Sequence, residues 1–198
     1  AKEMGISTLT DQDYNLSTAL GGLTHGVTPL EMVQAYGVLA NGGIKVQPTA
    51  ILKIVDRNGQ VVEEHSIQEK RVVDEKDAAI ITNMLESVIN GGTGGNAAIG
   101  RPAAGKTGTT DDSKDAWFVG YTPDLVAAVW IGDDYGSETL RGITGGNTPA
   151  IMWGQFMANA LANTPASDFP VPSSAQSAIA EGYFNPVKVQ PKKDDKKD

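Results

Sequence analysis

The 198 residues contain no cysteine. That excludes disulfides, thiolate metal sites and a cysteine nucleophile, but leaves the compartment open. Histidine occurs only at His25 and His65. Each stands alone, without ligand spacing around it, so a structural or solvent-facing role is expected for both and no metal is assigned. Basic residues are outnumbered, 16 Lys and Arg against 24 Asp and Glu, for a net charge of −8. An acidic surface repels phosphate backbones, so nucleic acid is not an expected partner. No apolar run is long enough to span a bilayer, and the N-terminus has no signal-peptide pattern. The opening "AKEMGIS" reads as the last turn of a helix stopped by Gly5. The chain is therefore expected to begin inside a domain, the other reading being a complete domain with trimmed ends.

What is present is an ordered series of helix and strand patterns. "VTPLEMVQAYGVLANGG" predicts a helix. Thr28 is its N-cap, Pro29 sits at the first position, and Glu31 closes a capping box. Leu30, Val33, Gly37 and Ala40 form its expected buried face. "AILKIVD" and "QVVEEH", joined by "RNG", predict a hairpin turning at Asn58-Gly59. A second helix is expected over residues 74–90, capped by Asp74, with Ile81, Leu85 and Val88 at helical spacing. "GGTGG" then reads as a flexible loop. "KTGTT", "AWFVGYT" and "LVAAVWIGDD" are short β-branched and aromatic runs, and the last two are separated only by "TPD". Such a gap allows an antiparallel hairpin and forbids a parallel crossover. A last helix starts at Thr148-Pro149. Trp117, Trp130 and Trp153 are expected in the core. Residues 164–198 read as an extended tail, disordered at its "PKKDDKKD" end.

One stretch carries two readings. "GRPAAGKT", residues 100–107, fits the phosphate-loop pattern G-x-x-x-x-G-K-[ST]. A phosphate loop follows a buried strand and opens a helix, whose N-terminus cradles the phosphates. Here "GGNAAI" precedes it and "GTTDDSKDAWFVGY" comes after it, with no helical period. "AAVWIGDD" imitates the second nucleotide-binding element, ending at Asp133. Yet the gap from Thr110 to Ala116 cannot hold a crossover helix. The alternative places Lys106, Thr107 and Gly108 on a strand paired with the next one. "DDSKD", residues 111–115, is then a solvated turn, or one that shapes a cleft mouth.

The run "GKTGTTDDSKDAWFVGYTPDLVAAVWIGDD" closely resembles the C-terminal part of the transpeptidase domain of class A, bifunctional penicillin-binding proteins. "LGGLTHGVTPLEMVQAYGVLANGG" resembles the preceding helix of that family. The resemblance covers roughly residues 1–162. It implies an α+β fold, an antiparallel sheet flanked by helices, of the penicillin-binding-protein and serine β-lactamase type, incomplete in these residues. It implies a domain segment over residues 1–163. The implied activity is peptidoglycan D,D-transpeptidation through a serine acyl-enzyme, with stem peptides as substrates, β-lactams as inhibitors and no cofactor. The resemblance makes Lys106, Thr107, Gly108 and Thr109 the substrate-binding strand. Lys106 brings charge toward the substrate carboxylate and the catalytic groups, and the Thr107 and Thr109 hydroxyls donate to that carboxylate. The Thr109 N–H serves as an oxyanion donor, which with Lys106 makes these two the implied catalytic residues.

The family's S-x-x-K and S-x-N motifs are both missing from these residues. The resemblance therefore implies an upstream segment, possibly a separate chain, that carries both motifs and faces Lys106. By the same likeness a membrane anchor lies upstream, the domain works at the outer face of the cytoplasmic membrane, and these 198 residues alone are inactive. A serine β-lactamase or D,D-carboxypeptidase shares the K-T-G strand and stands as an alternative. A noncatalytic β-lactam-sensing or peptidoglycan-binding module is another.

Overall fold

The computed structural model describes residues 1–133 and 135–181. The acidic-basic end of the tail, expected to be disordered, lies outside the described residues. In chain order come α1 (Pro29–Ala40), β1 (Ile44–Val46), β2 (Lys53–Val55), β3 (Val61–Glu64), β4 (Glu69–Arg71) and α2 (Glu75–Ile89). Next are β5 (Ala104–Thr109), β6 (Asp115–Tyr121), β7 (Val126–Gly132), α3 (Thr148–Ala160) and α4 (Ser173–Ala180). Strands β5, β6 and β7 form one antiparallel sheet in that order, and the other two sheets are the pairs β1–β4 and β2–β3. The α+β class and the antiparallel hairpins thus stand as the sequence implies.

Before α1 Ile6 is the one buried apolar side chain among the described residues, and two carboxylates organise the segment. Asp13 accepts from the N–H and hydroxyl of both Thr10 and Thr24. Those donors, the Thr10 N–H first, hold its carboxyl well below the usual range. Glu31 closes the capping box with Thr28 and also accepts from Ser7 N, Ser7 Oγ and Thr8 N. It thereby ties the N-terminal segment to the start of α1. The Thr28 N–H contributes most, and together the bonds bring the Glu31 carboxyl from 4.5 down to about 2, against an opposing effect of burial. The buried face of α1 is Glu31, Ala35 and Val38. Leu30, placed on the buried face by its spacing, is 63% exposed. Helical spacing alone admits either face, and the clasp at Glu31 fixes which one turns inward.

The chain leaves α1 through a long two-stranded ribbon. At its base Ile44 pairs with Arg71 and Val46 with Glu69, which the sequence reading missed. Toward its tip Lys53 pairs with Glu64, and Asp56 Oδ1 accepts from Asn58 N and Gln60 N to shape the turn. Gly59 there has φ +80, the left-handed conformation glycine adopts at no steric cost. In α2 the expected stripe is also displaced. Ile81 is exposed, whereas Ala78, Thr82, Ser87 and Ile89 are buried.

One face of the sheet is covered by α3. Phe118 packs on Trp153 with ring centroids 5.2 Å apart, and Met157, Ala150 and Ala97 complete that core. The Trp153 indole N–H is satisfied by Gly120 O at 3.3 Å and Ala127 O at 3.1 Å. On the other face Tyr121 meets Tyr36 of α1 edge-on at 6.2 Å and its hydroxyl pairs with Thr82 Oγ1 of α2 at 2.9 Å. Burial pushes the Tyr121 hydroxyl pKa far up. Trp117 and Trp130 are half-buried, so of the tryptophans only Trp153 is a core residue. Those two lie 6.1 Å apart on paired strands, and the Trp130 N–H reaches Asp115 Oδ1, keeping its polar edge near solvent.

Residues 165–172 form neither helix nor strand, but Ser173–Ala180 is helical, which corrects the reading of a wholly extended tail. Pro172 caps α4, Ala175 is fully buried, and α4 packs against α2. Ahead of it, Phe169 stands edge-on to Tyr121 at 5.5 Å. Tertiary contact makes a short helix from a segment whose prolines suggest none.

Candidate active-site strand

Residues 100–107 are no phosphate loop. Lys106 and Thr107 lie inside β5, and a tight turn leads from that strand into antiparallel β6. Thr110 Oγ1 accepts from the N–H groups of Lys114 and Asp115 and closes the turn. A phosphate loop opens a helix at its Lys-Thr end, and here a strand occupies that place.

Strand β5 stands at the edge of its sheet. Thr110 N donates to Asp115 O at 3.1 Å, and Thr109 lies opposite Ala116. Antiparallel ladders bond at alternate residues. Gly108, Lys106 and Ala104 therefore bond to β6, while the N–H and C=O of Thr109, Thr107 and Gly105 point to the open edge. Lys106 Nζ donates to one of these outward groups, Thr107 O, at 2.9 Å. The Lys106 side chain is exposed and forms no ion pair among the described residues. The strand thus offers a cation and an unladdered N–H at the same edge.

Side-chain alternation puts Thr107 and Thr109 on the face shared with Phe118 and Ala116, and Lys106 and Gly108 on the other. Two loops come to the threonine face. The first is "GGTGG" with the residues after it. Within it Gly94 is buried and its N–H donates to Val88 O at 2.9 Å, and beyond it Ala97 is fully buried. From it, Thr93 Oγ1 stands 2.7 Å from Thr107 Oγ1. The second loop precedes α3. Asn147 Oδ1 accepts from Thr144 N and Thr148 N, and its Nδ2 donates to Gly142 O. Gly145, held in that loop, donates its N–H to Thr109 Oγ1 at 3.0 Å. Asn96 Nδ2 joins the two loops through Gly146 O at 2.8 Å.

The close approach at the triplet is made by Gly145. A Cβ there would stand 2.4 Å from Trp117 O and 2.5 Å from Gly108 O, which no backbone tolerates unmoved. At Gly108 a Cβ would meet only the Trp117 side chain, its Cβ at 3.3 Å. The sequence reading found the strand residues and missed Thr93, Asn96, Gly145 and Asn147. A glycine-rich loop before β5 and another between β7 and α3 were the available sign, but only the packing shows that both converge on one strand face.

The chain matches the family described as "Penicillin binding protein transpeptidase domain" over residues 5–142. Penicillin-binding protein 1A of Clostridium acetobutylicum is 33% identical over 93% of this chain and 22% of that protein. Penicillin-binding protein 1A of Aquifex aeolicus is 38% identical over 86% of this chain and 23% of that protein. The chain thus spans under a quarter of the length of these curated relatives. Among solved structures, the PonA1 protein of Mycobacterium tuberculosis in complex with penicillin V is similar at a TM-score of 0.76. It shares 32% identity, over 85% of this chain and 50% of that one. On its sequence, its sheet and these likenesses, the chain belongs to the penicillin-binding protein transpeptidase domain family.

Proposed function

We propose that the chain forms the carboxylate-binding and oxyanion wall of a peptidoglycan D,D-transpeptidase. In that reaction a serine hydroxyl attacks the D-Ala–D-Ala carbonyl of one stem peptide. The terminal D-Ala leaves with a proton, and an ester acyl-enzyme remains. The amine of a second stem peptide attacks the ester and restores the serine. β-Lactams enter the same first step and stay attached. No serine among the 198 residues stands three before a lysine. The nucleophile and base are therefore assigned to a segment outside them, carrying S-x-x-K and S-x-N, and these residues alone are inactive. Localisation follows the substrate, at the outer face of the cytoplasmic membrane.

The observation that carries this reading is the edge of β5. Lys106 supplies a cation, the Thr107 and Thr109 hydroxyls supply neutral donors, and the Thr109 N–H points outward with no ladder partner on β6. A terminal carboxylate needs the first two, and a developing oxyanion needs the third. In a complete transpeptidase carrying this segment, Lys106→Ala is expected to slow labelling by a fluorescent penicillin about 100-fold or more. The adduct should persist rather than turn over, which separates a transpeptidase from a β-lactamase. Wild-type labelling rates for Lys106→Ala would overturn the role of the strand, and rapid release of hydrolysed penicillin would overturn the reaction.

A further inference from the structure

We infer that Thr93 is a positioning residue for the substrate-binding strand. Its hydroxyl donates to Thr107 Oγ1 and turns the Thr107 proton outward, toward the carboxylate of the ligand. The Gly145 N–H does the same for Thr109. This inference rests on the reading of β5 as the carboxylate-binding strand.

A hydroxyl has one proton to give and two sites at which to accept. A backbone N–H can only donate. With Gly145 N at 3.0 Å, Thr109 Oγ1 is the acceptor, and its own proton stays free for a ligand. Between Thr93 Oγ1 and Thr107 Oγ1, 2.7 Å apart, a single proton lies. A carboxylate only accepts, so a Thr107 that binds one must commit its proton to it. The proton between the two hydroxyls must then come from Thr93. Both strand threonines are held by donors on the same side, and the two protons that remain are directed together at one ligand.

The donors are themselves fixed in place. Asn96 Nδ2 bonds to Gly146 O at 2.8 Å, and a Cβ on Gly146 would stand 2.4 Å from Thr93 O. Asn147 holds the loop on the other side through Thr144 and Gly142. The pair of loops braces the threonine hydroxyls before a ligand arrives, so little reorganisation is left for binding.

The test uses a complete transpeptidase that carries this segment. Second-order acylation rates are measured for benzylpenicillin and for its methyl ester, which lacks the carboxylate charge. Thr93→Val, or the smaller Thr93→Ala if the first fails to fold, is expected to slow acylation by the acid about tenfold, the upper end for one hydrogen bond between neutral groups. Acylation by the ester should change little, and Thr93→Ser should restore the acid rate. A wild-type acid rate in the Val and Ala variants would overturn the proposal, as would equal slowing of acid and ester. Thr107→Val separates the levels. If it leaves the acid-to-ester ratio unchanged, the reading of β5 itself fails. If it abolishes the preference while Thr93→Val keeps it, only the role of Thr93 fails.

Discussion

Glu31 shows how much one residue can organise. Five donors from Ser7, Thr8 and Thr28 surround a carboxylate that is only 8% exposed. Its pKa, lowered from 4.5 to about 2, is a statement about stability. The stabilisation is fully present above pH 4.5 and is lost as pH falls toward 2. Glu31→Gln is therefore expected to lower the urea midpoint at pH 7, with the gap to wild type closing between pH 4.5 and 2. A gap that stays constant across that range would remove the charge from the explanation. At the strand, Thr109→Val should slow β-lactam acylation less than Lys106→Ala does. It removes a hydroxyl but keeps the outward N–H, and stopped-flow labelling of the two variants compares them. The capping box and the Lys106 strand were legible in the sequence because each is a local pattern. The Ser7–Glu31 clasp was not, since it joins residues 24 apart through the fold.

At the scale of elements, the positions of helices and hairpins were readable and their orientations were less so. The buried faces of α1 and α2 include Glu31, Thr82 and Ser87, polar residues that an apolar stripe passes over. The base of the ribbon joins β1 to β4, strands separated in the chain by the whole β2–β3 hairpin, a pairing that no local turn specifies. The loop before α3 makes the contact most open to test. Gly145→Ala places a methyl against the backbone of both β5 and β6. It is expected to destabilise the domain by about 1–3 kcal/mol, the usual range for overpacking. It should also slow acylation, because the N–H that holds Thr109 must move. Thermal unfolding and penicillin labelling read the two effects, and an unchanged melting temperature would show that the loop yields freely. Trp153→Ala should cost more, about 3–5 kcal/mol, because a fully buried ring is lost. Denaturant midpoints give that difference, and it should not alter the acid-to-ester ratio.

At the scale of the whole molecule, the strand that carries the lysine and threonines forms an edge, and no serine in the 198 residues stands three before a lysine. Family membership and sheet order were legible because the run from Lys106 to Asp133 is both a motif and a set of antiparallel hairpins. The loops that brace the strand became visible only in three dimensions. In the proposed function the chain forms one wall of a two-part site, and the reacting serine belongs to the other. The most direct test is to label a complete transpeptidase carrying this segment with a fluorescent penicillin, digest it and map the adduct by mass spectrometry. A single modified serine is predicted, outside these 198 residues and three before a lysine. An adduct on any serine within them would contradict the two-wall site.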